Sequence, residues 1–171
     1  MFLAGEGRTM RYLISIDAAL CTGCRICELV CSLSHTGACW PERARLRVVS
    51  EEAEGRVESV PTLCVQCEVP ACRLACPTGA TFVGGPAEAR LVAAEKCIGC
   101  SGCVWACPFG VSVLDPVTGV ANRCDLSEGN PRCVKHCPTG ALRYVPEDQL
   151  AGTEQKRKAG VLMDLHRLIR R

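Results

Sequence analysis

Cysteine is the residue type that dominates the chemistry this 171-residue sequence could perform, since it occurs sixteen times. The clearest cysteine run reads Cys97-Ile-Gly-Cys-Ser-Gly-Cys-Val-Trp-Ala-Cys-Pro108. Three closely spaced cysteines, then a cysteine followed by proline, are typical of a loop that wraps one [4Fe–4S] cube while its fourth cysteine ligates another. Such runs must work in pairs. Zinc and disulfides are the alternatives, but zinc sites usually take cysteines in separated pairs.

Three further runs repeat this pattern with local changes. They are Cys21-Thr-Gly-Cys24-Arg-Ile-Cys27-Glu-Leu-Val-Cys31, Cys64-Val-Gln-Cys67-Glu-Val-Pro-Ala-Cys72-Arg-Leu-Ala-Cys76 and Cys124-Asp-Leu-Ser127-Glu-Gly-Asn-Pro-Arg-Cys133-Val-Lys-His-Cys137. We number the four runs in chain order, so that Cys97–Cys107 is run 3. Runs 2, 3 and 4 all end in Cys-Pro-x-Gly. The chain is therefore an internal repeat of one cluster motif, with a period of about 30 to 40 residues.

The composition favours a protein held together by metal rather than by a large apolar core. Aromatic residues make up only 4% of the chain, and small domains with little apolar bulk usually need covalent or metal links. The N-terminus has no secretory signal, and no apolar run approaches the length of a membrane span. We therefore expect a cytoplasmic protein whose thiolates bind metal instead of forming disulfides.

The charge excludes some classes of function. The formal net charge of +2 counts cysteine as neutral. Fifteen thiolates around four oxidised cubes would bring the loaded protein to roughly −5. This charge, together with the lack of a basic face with interleaved aromatics, argues against nucleic-acid binding. The sequence also has no dinucleotide fingerprint, phosphate loop or nucleophile–base constellation, so we do not expect an enzyme.

The segments between the runs predict an α+β fold. Strands are expected at Tyr12–Ile16, Arg45–Val49, Arg56–Val60, Thr81–Val83, Arg90–Ala94, Val111–Leu114 and Gly119–Asn122. The last six form three hairpins, the first with the acidic turn Glu51–Gly55. The expected architecture is a tandem of bacterial-ferredoxin-like modules, with short hairpins and cluster loops or helices. We place this domain at residues 11–146, after a flexible tail at 1–10.

The C-terminal segment, residues 147–171, differs from the rest of the chain. It contains no cysteine and carries an apolar stripe at helical spacing in a basic context: Val161, Leu162, Leu165, Leu168 and Ile169. Two interpretations are open. The helix could close against the body of the chain, or it could be a docking helix for a partner subunit.

The motifs together resemble the four-cluster ferredoxin-like subunits of molybdenum and tungsten oxidoreductases. The longer loop of run 2 and the Cys-Asp-Leu-x opening of run 4 carry this resemblance, which covers about residues 10 to 145. The short loop Glu128–Cys133 and the opening of run 1 look most similar to the small iron–sulfur subunit of tungsten aldehyde oxidoreductase complexes. The resemblance is specific for the clusters and weaker for the enzyme that is served.

The resemblance implies four ligand sets, because in that family run 1 pairs with run 4 and run 2 with run 3. Site A would take Cys21, Cys24, Cys27 and Cys137; site B Cys64, Cys67, Cys72 and Cys107; site C Cys97, Cys100, Cys103 and Cys76; site D Cys124, Cys133 and Cys31. Sites A, B and C would hold [4Fe–4S] clusters. The family has cysteine at the remaining ligand position of site D, where this chain has Ser127. Site D would hold a [4Fe–4S] cluster completed by Ser127 or by the spare Cys39, or a [3Fe–4S] cluster.

The function implied by the resemblance is electron transfer between a catalytic tungsten- or molybdenum-pterin subunit and a redox partner. That partner could be a flavin or NAD subunit or another electron acceptor. Self-association of the chain is a separate expectation. The alternatives are a free-standing soluble polyferredoxin and, less favoured, a redox enzyme whose substrate binds an open iron beside Ser127. Trp105 is expected to shield its cluster from water.

Overall fold

The described part of the chain, in this computed structural model, comprises residues 10–53 and 55–150. It contains eight strands: β1 (Tyr12–Ile16), β2 (Leu46–Ala53), β3 (Arg56–Leu63), β4 (Thr81–Gly84), β5 (Ala89–Val92), β6 (Val113–Leu114), β7 (Ala121–Asn122) and β8 (Leu142–Pro146). It also contains α1 (Ile26–Thr36), α2 (Ala71–Leu74), α3 (Gly102–Trp105) and α4 (Arg132–Lys135), and residues 147–150 are helical as well. The predicted α+β class is confirmed. Most of the predicted N-terminal tail, and the C-terminal apolar stripe, lie outside the described residues.

The strands form four separate antiparallel pairs within the described ranges, each of them two-stranded. β2–β3, β4–β5 and β6–β7 are the three predicted hairpins. The fourth pair joins the two ends of the described chain, since β1 runs antiparallel to β8 with Ile14 opposite Tyr144. The sequence predicted β1, but not that it pairs with a strand at the other end of the domain. This pair brings the start of run 1 beside the end of run 4.

The β2–β3 hairpin is longer than predicted. Both strands continue through the acidic stretch, and Glu51 pairs with Glu58 in the register. The prediction of a turn over Glu51–Gly55 is therefore wrong. The connection shortens to two residues, and Gly55 at φ +74° supplies the left-handed conformation that such tight hairpin turns favour.

Helix α1 buries its cysteines rather than its leucines. Cys27 and Cys31, one turn apart, face the interior, whereas Leu29 and Leu33 are exposed. The buried carboxylate of Glu28 accepts the backbone N–H of Val48 at 2.6 Å, which fixes α1 to β2. The helix is therefore organised around the thiols that it carries.

The helices pack as two pairs. α1 packs against α4, and α2 packs against α3, so the helices of runs 1 and 4 meet and those of runs 2 and 3 meet. The close approach of α3 to run 2 requires Gly102, because a Cβ there would stand 2.9 Å from the carbonyl oxygen of Ala75. The helix pairs thus follow the pairing of runs that the resemblance implies.

The core is made largely of cysteines and small aliphatic residues. Five of the twelve residues in the main buried cluster are cysteines, and none is aromatic: Cys27, Cys31, Ala44, Leu46, Val48, Leu63, Cys64, Ala89, Cys124, Leu126, Cys133 and Leu142. A core of this kind has few large side chains to interdigitate. Its cohesion must depend on what the thiols bind.

The buried side chain of Gln66 ties run 2 to run 4. Its Nε2 donates to the carbonyl oxygen of Cys124 at 2.7 Å, and its Oε1 accepts the backbone N–H of Arg90 at 2.8 Å. Gln66 itself has φ +56°, so it also shapes the loop of run 2. One amide therefore satisfies backbone groups on two other segments.

We expect Gln66→Ala to lower the apparent thermal unfolding midpoint of the iron-loaded protein. The change leaves two buried backbone groups unpaired, at about 1–3 kcal/mol each, which corresponds to a drop of roughly 5–15 °C. Circular dichroism under anaerobic conditions measures it. Val69→Ala, at an exposed position of the same run, is the control and should shift the midpoint by only a degree or two. Equal midpoints for the two variants would contradict the bridging role.

Candidate iron–sulfur sites

Three cavities are each lined by four cysteines. The site A cavity is lined by Cys21, Cys24, Cys27 and Cys137; the site B cavity by Cys64, Cys67, Cys72 and Cys107; and the site C cavity by Cys76, Cys97, Cys100 and Cys103. In each set three cysteines come from one run and the fourth from its partner run. The three cavities are similar in size, and each is partly open to solvent. Nearly equal volumes and identical donor sets fit one kind of guest in all three.

The runs shape these cavities with left-handed residues at matching positions. The second residue after the first cysteine has positive φ in every run: Gly23, Gln66, Gly99 and Leu126. In runs 1, 3 and 4, so does the fourth: Arg25, Ser101 and Glu128. Left-handed residues between right-handed ones turn successive backbone N–H groups toward one concavity, a geometry that favours anionic guests such as iron–sulfur clusters.

Runs 2 and 4 end in the same segment, Cys-Pro-Thr-Gly-Ala, and the hydrogen bonds that this segment donates to its cysteine sulfur give a physical reason for the repeat. Burial alone would raise the pKa of Cys76, but hydrogen bonds from the backbone of Thr81, Thr78 and Ala80 and the Thr78 hydroxyl lower it to about 7. At Cys137 burial likewise opposes hydrogen bonds from Leu142, Thr139 and Ala141, and the net pKa is lowered. Both sulfurs are therefore stabilised as thiolates by donors that the turn supplies.

Site D is a buried group of three cysteines. Cys31, Cys124 and Cys133 are all buried. Burial, and next the nearby Cys31, raise the pKa of Cys133 to about 12. The pKa of Cys124 is also raised, by burial and then by Cys133, Asp125 and Cys31. The three thiols thus lie close to one another in a low-dielectric interior, where thiolates need a positive partner such as iron.

Ser127 lies in the position that the second cysteine has in the other runs. It is flanked by Leu126 at φ +59° and Glu128 at φ +56°, matching the left-handed residues around Cys24 in run 1. Ser127 itself has φ +47°, whereas Cys24, Cys67 and Cys100 are not left-handed. Three consecutive left-handed residues, including a buried leucine, are unusual, and each costs about 1–2 kcal/mol. Such strain is typical of functional loops.

The carboxylate of Asp125 is occupied by the protein. Its Oδ1 accepts the backbone N–H of Ser127 at 3.0 Å and lies 3.5 Å from His35 Nε2, while its Oδ2 accepts a short hydrogen bond from Arg45. A carboxylate with these partners is a poor candidate for an iron ligand. Its role is to hold the loop of run 4 against α1 and β2.

Cys39 does not share the buried position of the other cysteines of site D. It is exposed and lies beyond Gly37, which ends α1. The assignment of either Cys39 or Ser127 as a ligand stays a prediction, as do the ligand roles of the fifteen other cysteines. The structure brings the four cysteines of sites A, B and C together and the three of site D together.

The prediction that Trp105 shields its cluster is wrong. Trp105 lies at the end of α3 with 87% of its surface exposed, and it does not line the site C cavity. The positions of the neighbouring cysteines in the sequence do not determine on which side of this short helix the indole projects.

No helix in the described part of the chain is long and apolar enough to cross a membrane.

A family model and sequence relatives agree with these cysteine motifs. Residues 56–147 match the 4Fe-4S dicluster domain family. The chain belongs to this family. It is therefore an iron–sulfur protein, and the predicted ferredoxin-like resemblance is confirmed. Within the described residues, no group of three or more histidine, cysteine or acidic side chains is arranged to hold a single metal ion.

The relatives are named as parts of oxidoreductases. The chain is 46% identical over 127 residues to the aliphatic sulfonate oxidoreductase polyferredoxin-like subunit of Pyrococcus furiosus, covering 74% of this chain and 72% of that one. It is 34% identical to the thiosulfate reductase electron transfer subunit PhsB of Salmonella typhi, covering 80% and 76%. It is 35% identical to NADH-dependent phenylglyoxylate dehydrogenase subunit beta of Aromatoleum evansii, covering 77% of this chain but 30% of the relative.

Among solved structures, the chain is similar to a chain of the active site complex BamBC of benzoyl coenzyme A reductase with zinc. The TM-score is 0.48 at 25% identity, covering 94% of this chain and 99% of the other.

Proposed function

We propose that the chain is a four-cluster electron-transfer subunit of an oxidoreductase complex, with catalysis in a partner subunit. The observation that carries the cluster count is the set of three four-cysteine cavities of nearly one size, with a fourth buried group of three cysteines. When bound, [4Fe–4S] clusters supply reversible one-electron transfer. Relatives named as electron-transfer subunits support the same assignment.

The residues of the chain would hold and tune these clusters. The thiolates bind iron, and backbone N–H groups donate to the sulfurs, as Arg45 does to Cys31 at 3.2 Å and Ala121 to Cys97 at 3.4 Å. Hydrogen bonds to sulfur and burial are the means by which a protein sets reduction potential. Their distribution differs from site to site, so the four sites should have different potentials.

At site D we propose a complete [4Fe–4S] cluster with Ser127 as the fourth ligand. The left-handed residues on both sides of Ser127 support this assignment, because they reproduce the surroundings of a second cysteine. The exposed position of Cys39 makes it the weaker candidate. A [3Fe–4S] cluster remains the competing arrangement, with Ser127 unligated.

The catalytic partner is proposed to be a tungsten- or molybdenum-pterin subunit in the cytoplasm, from the resemblance of the short run 4 loop and of run 1. The Pyrococcus furiosus relative belongs to an aliphatic sulfonate oxidoreductase. The aldehyde oxidoreductase assignment is therefore a narrower proposal than the subunit role itself. A flavin or NAD subunit as the second redox partner, and the C-terminal docking helix, likewise stay predictions.

The test of the proposed function is cluster content together with electron capacity. Iron and sulfide should each be near fifteen to sixteen per chain, and anaerobic reduction should take up about four electrons. The tagged chain, purified from native cells without oxygen, should retain a catalytic subunit in stoichiometric amount. A chain that carries the clusters but purifies alone, and exchanges electrons with several enzymes, would favour the free-standing polyferredoxin.

Runs 2 and 3 carry several exposed apolar side chains that support a subunit interface. They are Val69, Leu74, Ile98, Trp105 and Phe109, each more than half exposed. We call them the run 2–3 residues. Ile98 and Phe109 also line the cavities of sites C and B, so a partner bound here would lie beside two clusters. Exposed aromatic side chains of this kind are frequent anchors of interfaces.

We expect Trp105→Ala to weaken binding to the catalytic subunit while leaving the iron content unchanged. Loss of a buried interface tryptophan costs about 2 kcal/mol or more, roughly a 30-fold increase in Kd. Titration of the purified partner measures it. Trp40→Ala changes the other tryptophan of the chain, outside runs 2 and 3, and is the matched control. An equal effect of both variants, or no effect of either, would remove the run 2–3 residues from the interface.

A further inference from the structure

We infer that Arg123 raises the reduction potential of site B by holding a fixed positive charge against one of its ligands, Cys72, in addition to the charge of Arg90, which lines the cavity. This inference rests on the proposed function for the presence of a cluster at site B. It names a tuning residue that the cysteine motifs do not contain. The side chain of Arg123 donates to a cysteine of run 2, so its effect would fall on a neighbouring site.

Arg123 lies between two sites. It immediately precedes Cys124 of site D, but its side chain extends to run 2, where Nη1 donates to Cys72 Sγ at 2.8 Å. Nη2 donates to the hydroxyl of Thr81 at 3.1 Å. Only 3% of the residue is exposed. The guanidinium of a run 4 residue is thus buried against a ligand of site B.

The charge of Arg123 has no carboxylate partner in the described part of the chain. Arg43 pairs with Asp115 and Arg45 with Asp125, but the described contacts of Arg123 are to a thiol and a hydroxyl. Its Nε is buried without a hydrogen-bond partner. A buried, uncompensated guanidinium is strongly unfavourable. The nearby charge that could compensate it is that of site B, since an oxidised cube with four thiolates carries about −2.

A fixed cation at this place favours the reduced form of site B. Uptake of one electron changes the charge of the cube with its four thiolates from about −2 to about −3, with no bond made or broken. A buried positive charge stabilises the more negative form more strongly, and the low dielectric strengthens this difference. The hydrogen bond to Cys72 acts in the same direction, because it draws electron density from the sulfur.

At site D no described hydrogen bond joins a guanidinium to a cysteine sulfur. Arg45 and Arg47 are the cations that act on Cys31; the carboxylate of Asp125 neutralises Arg45, and Arg47 donates to carbonyl oxygens of residues 42, 44 and 46. Asp125 is moreover adjacent to Cys124 in the chain. Arg45 is paired with a carboxylate and Arg123 is not. The guanidinium of Arg123 therefore favours reduction of site B more than that of Arg45 favours reduction of site D.

An external anion is the competing partner for Arg123. Arg43, Arg45, Arg90 and Arg123 line one open cleft of about 380 Å³. Two of these arginines are already paired, and Arg90 donates to the carbonyl oxygen of Cys67 at 2.7 and 2.9 Å. The buried position of Arg123 places its charge nearer to site B than to the solvent of the cleft. Arg90 and Arg123 have no carboxylate partner among the described contacts, so binding of inorganic phosphate in the cleft is one of the outcomes that the test separates.

The test is an anaerobic redox titration of the iron-loaded protein, followed by electron paramagnetic resonance. Arg123→Met removes the charge at similar volume, and Arg123→Gln removes it but keeps donors. The site B couple is identified as the one whose spectrum changes in Cys72→Ser. In both neutral variants its reduction equilibrium constant should fall at least tenfold, about 59 mV for one electron. Arg123→Lys should retain most of the potential, and Arg143→Met, at an exposed arginine, should change nothing.

Three results would overturn the inference. The first is an unchanged site B potential in the neutral variants at full iron content. The second is loss of site B iron in both neutral variants but not in Arg123→Lys, because the charge would then serve assembly and not tuning. The third is a shift of the wild-type potential by inorganic phosphate, at constant ionic strength, that Arg123→Met abolishes. A normal iron content with no site B shift leaves the proposed electron-transfer function intact, so the two failures are distinguishable.

Discussion

Removal of iron and sulfide should cost the chain its compact fold. For 171 residues, a compact domain has a radius of gyration of about 16 Å and an unfolded chain about 44 Å. We expect the protein treated with an anaerobic chelator to move most of the way toward the larger value. Loss of the far-ultraviolet circular dichroism of the helices should accompany the expansion.

The physical reason is the composition of the core. Five of its twelve residues are cysteines, and sites A, B and C each gather four further or shared thiols around a space that no side chain fills. A core with so few large side chains cannot interdigitate without the group that the thiols bind. Without metal, the buried thiols of Cys27 and Cys133 are neutral, because burial raises the pKa of both to about 12. The energy of iron binding is therefore also folding energy.

The measurement is small-angle scattering before chelation, after it, and after return of iron and sulfide. Cys39→Ser, which changes an exposed cysteine, should behave as the wild type does in each state. Because iron displaces thiol protons, reconstitution should proceed further at about pH 8.5 than at about pH 7. A metal-free chain that keeps the small radius and the helical signal would show that the aliphatic core suffices.

The features set by short-range spacing could be predicted from the sequence. The hairpins follow from β-favouring segments on either side of short turns, and the strand Tyr12–Ile16 was predicted with the bounds that it has. The cysteine spacing predicts how each loop supplies three donors to one cavity. The resemblance to four-cluster subunits then implies which distant cysteine joins them, and the three cavities have those linings.

The features set by long-range packing could not be predicted. Neither β1 nor β8 contains a signal for its partner, because the partner lies 130 residues away in the register. The direction of Trp105 depends on how α3 lies against run 2. Gln66 and Arg123 have no distinguishing position in the repeat, yet both connect run 2 with run 4 through buried polar contacts. Such contacts exist only once the two helix pairs are assembled.

At Ser127 the cysteine motif predicts the position of the residue but not its backbone conformation. The motif identifies it as the substitute for a thiolate, and the left-handed conformations of Leu126 and Glu128 agree with that position. The left-handed conformation of Ser127 itself has no counterpart at Cys24, Cys67 or Cys100. The backbone of run 4 therefore adapts where the side chain is changed, which no spacing rule anticipates.

The second large effect is expected at this residue. As an alkoxide, serine is a harder and more electron-donating ligand than thiolate, so a cube with Ser127 should have a lower potential than one with four thiolates. Wild-type protein, oxidised without air, should therefore give no three-iron signal in electron paramagnetic resonance. Ser127→Cys should remain silent when oxidised and should have a higher site D potential.

Ser127→Ala should produce a three-iron signal of about one spin per chain, because the iron bound by Ser127 would then have no ligand other than sulfide. Cys39→Ala is the matched control and should stay silent, since Cys39 is exposed and away from the buried thiols. The opposite arrangement makes opposite predictions. A stoichiometric three-iron signal in the wild type, abolished by Ser127→Cys, would mean that Ser127 is not a ligand and that site D is a [3Fe–4S] cluster of high potential. A three-iron signal in Cys39→Ala alone would make Cys39 the missing ligand, and would require the chain beyond α1 to move inward when the cluster binds.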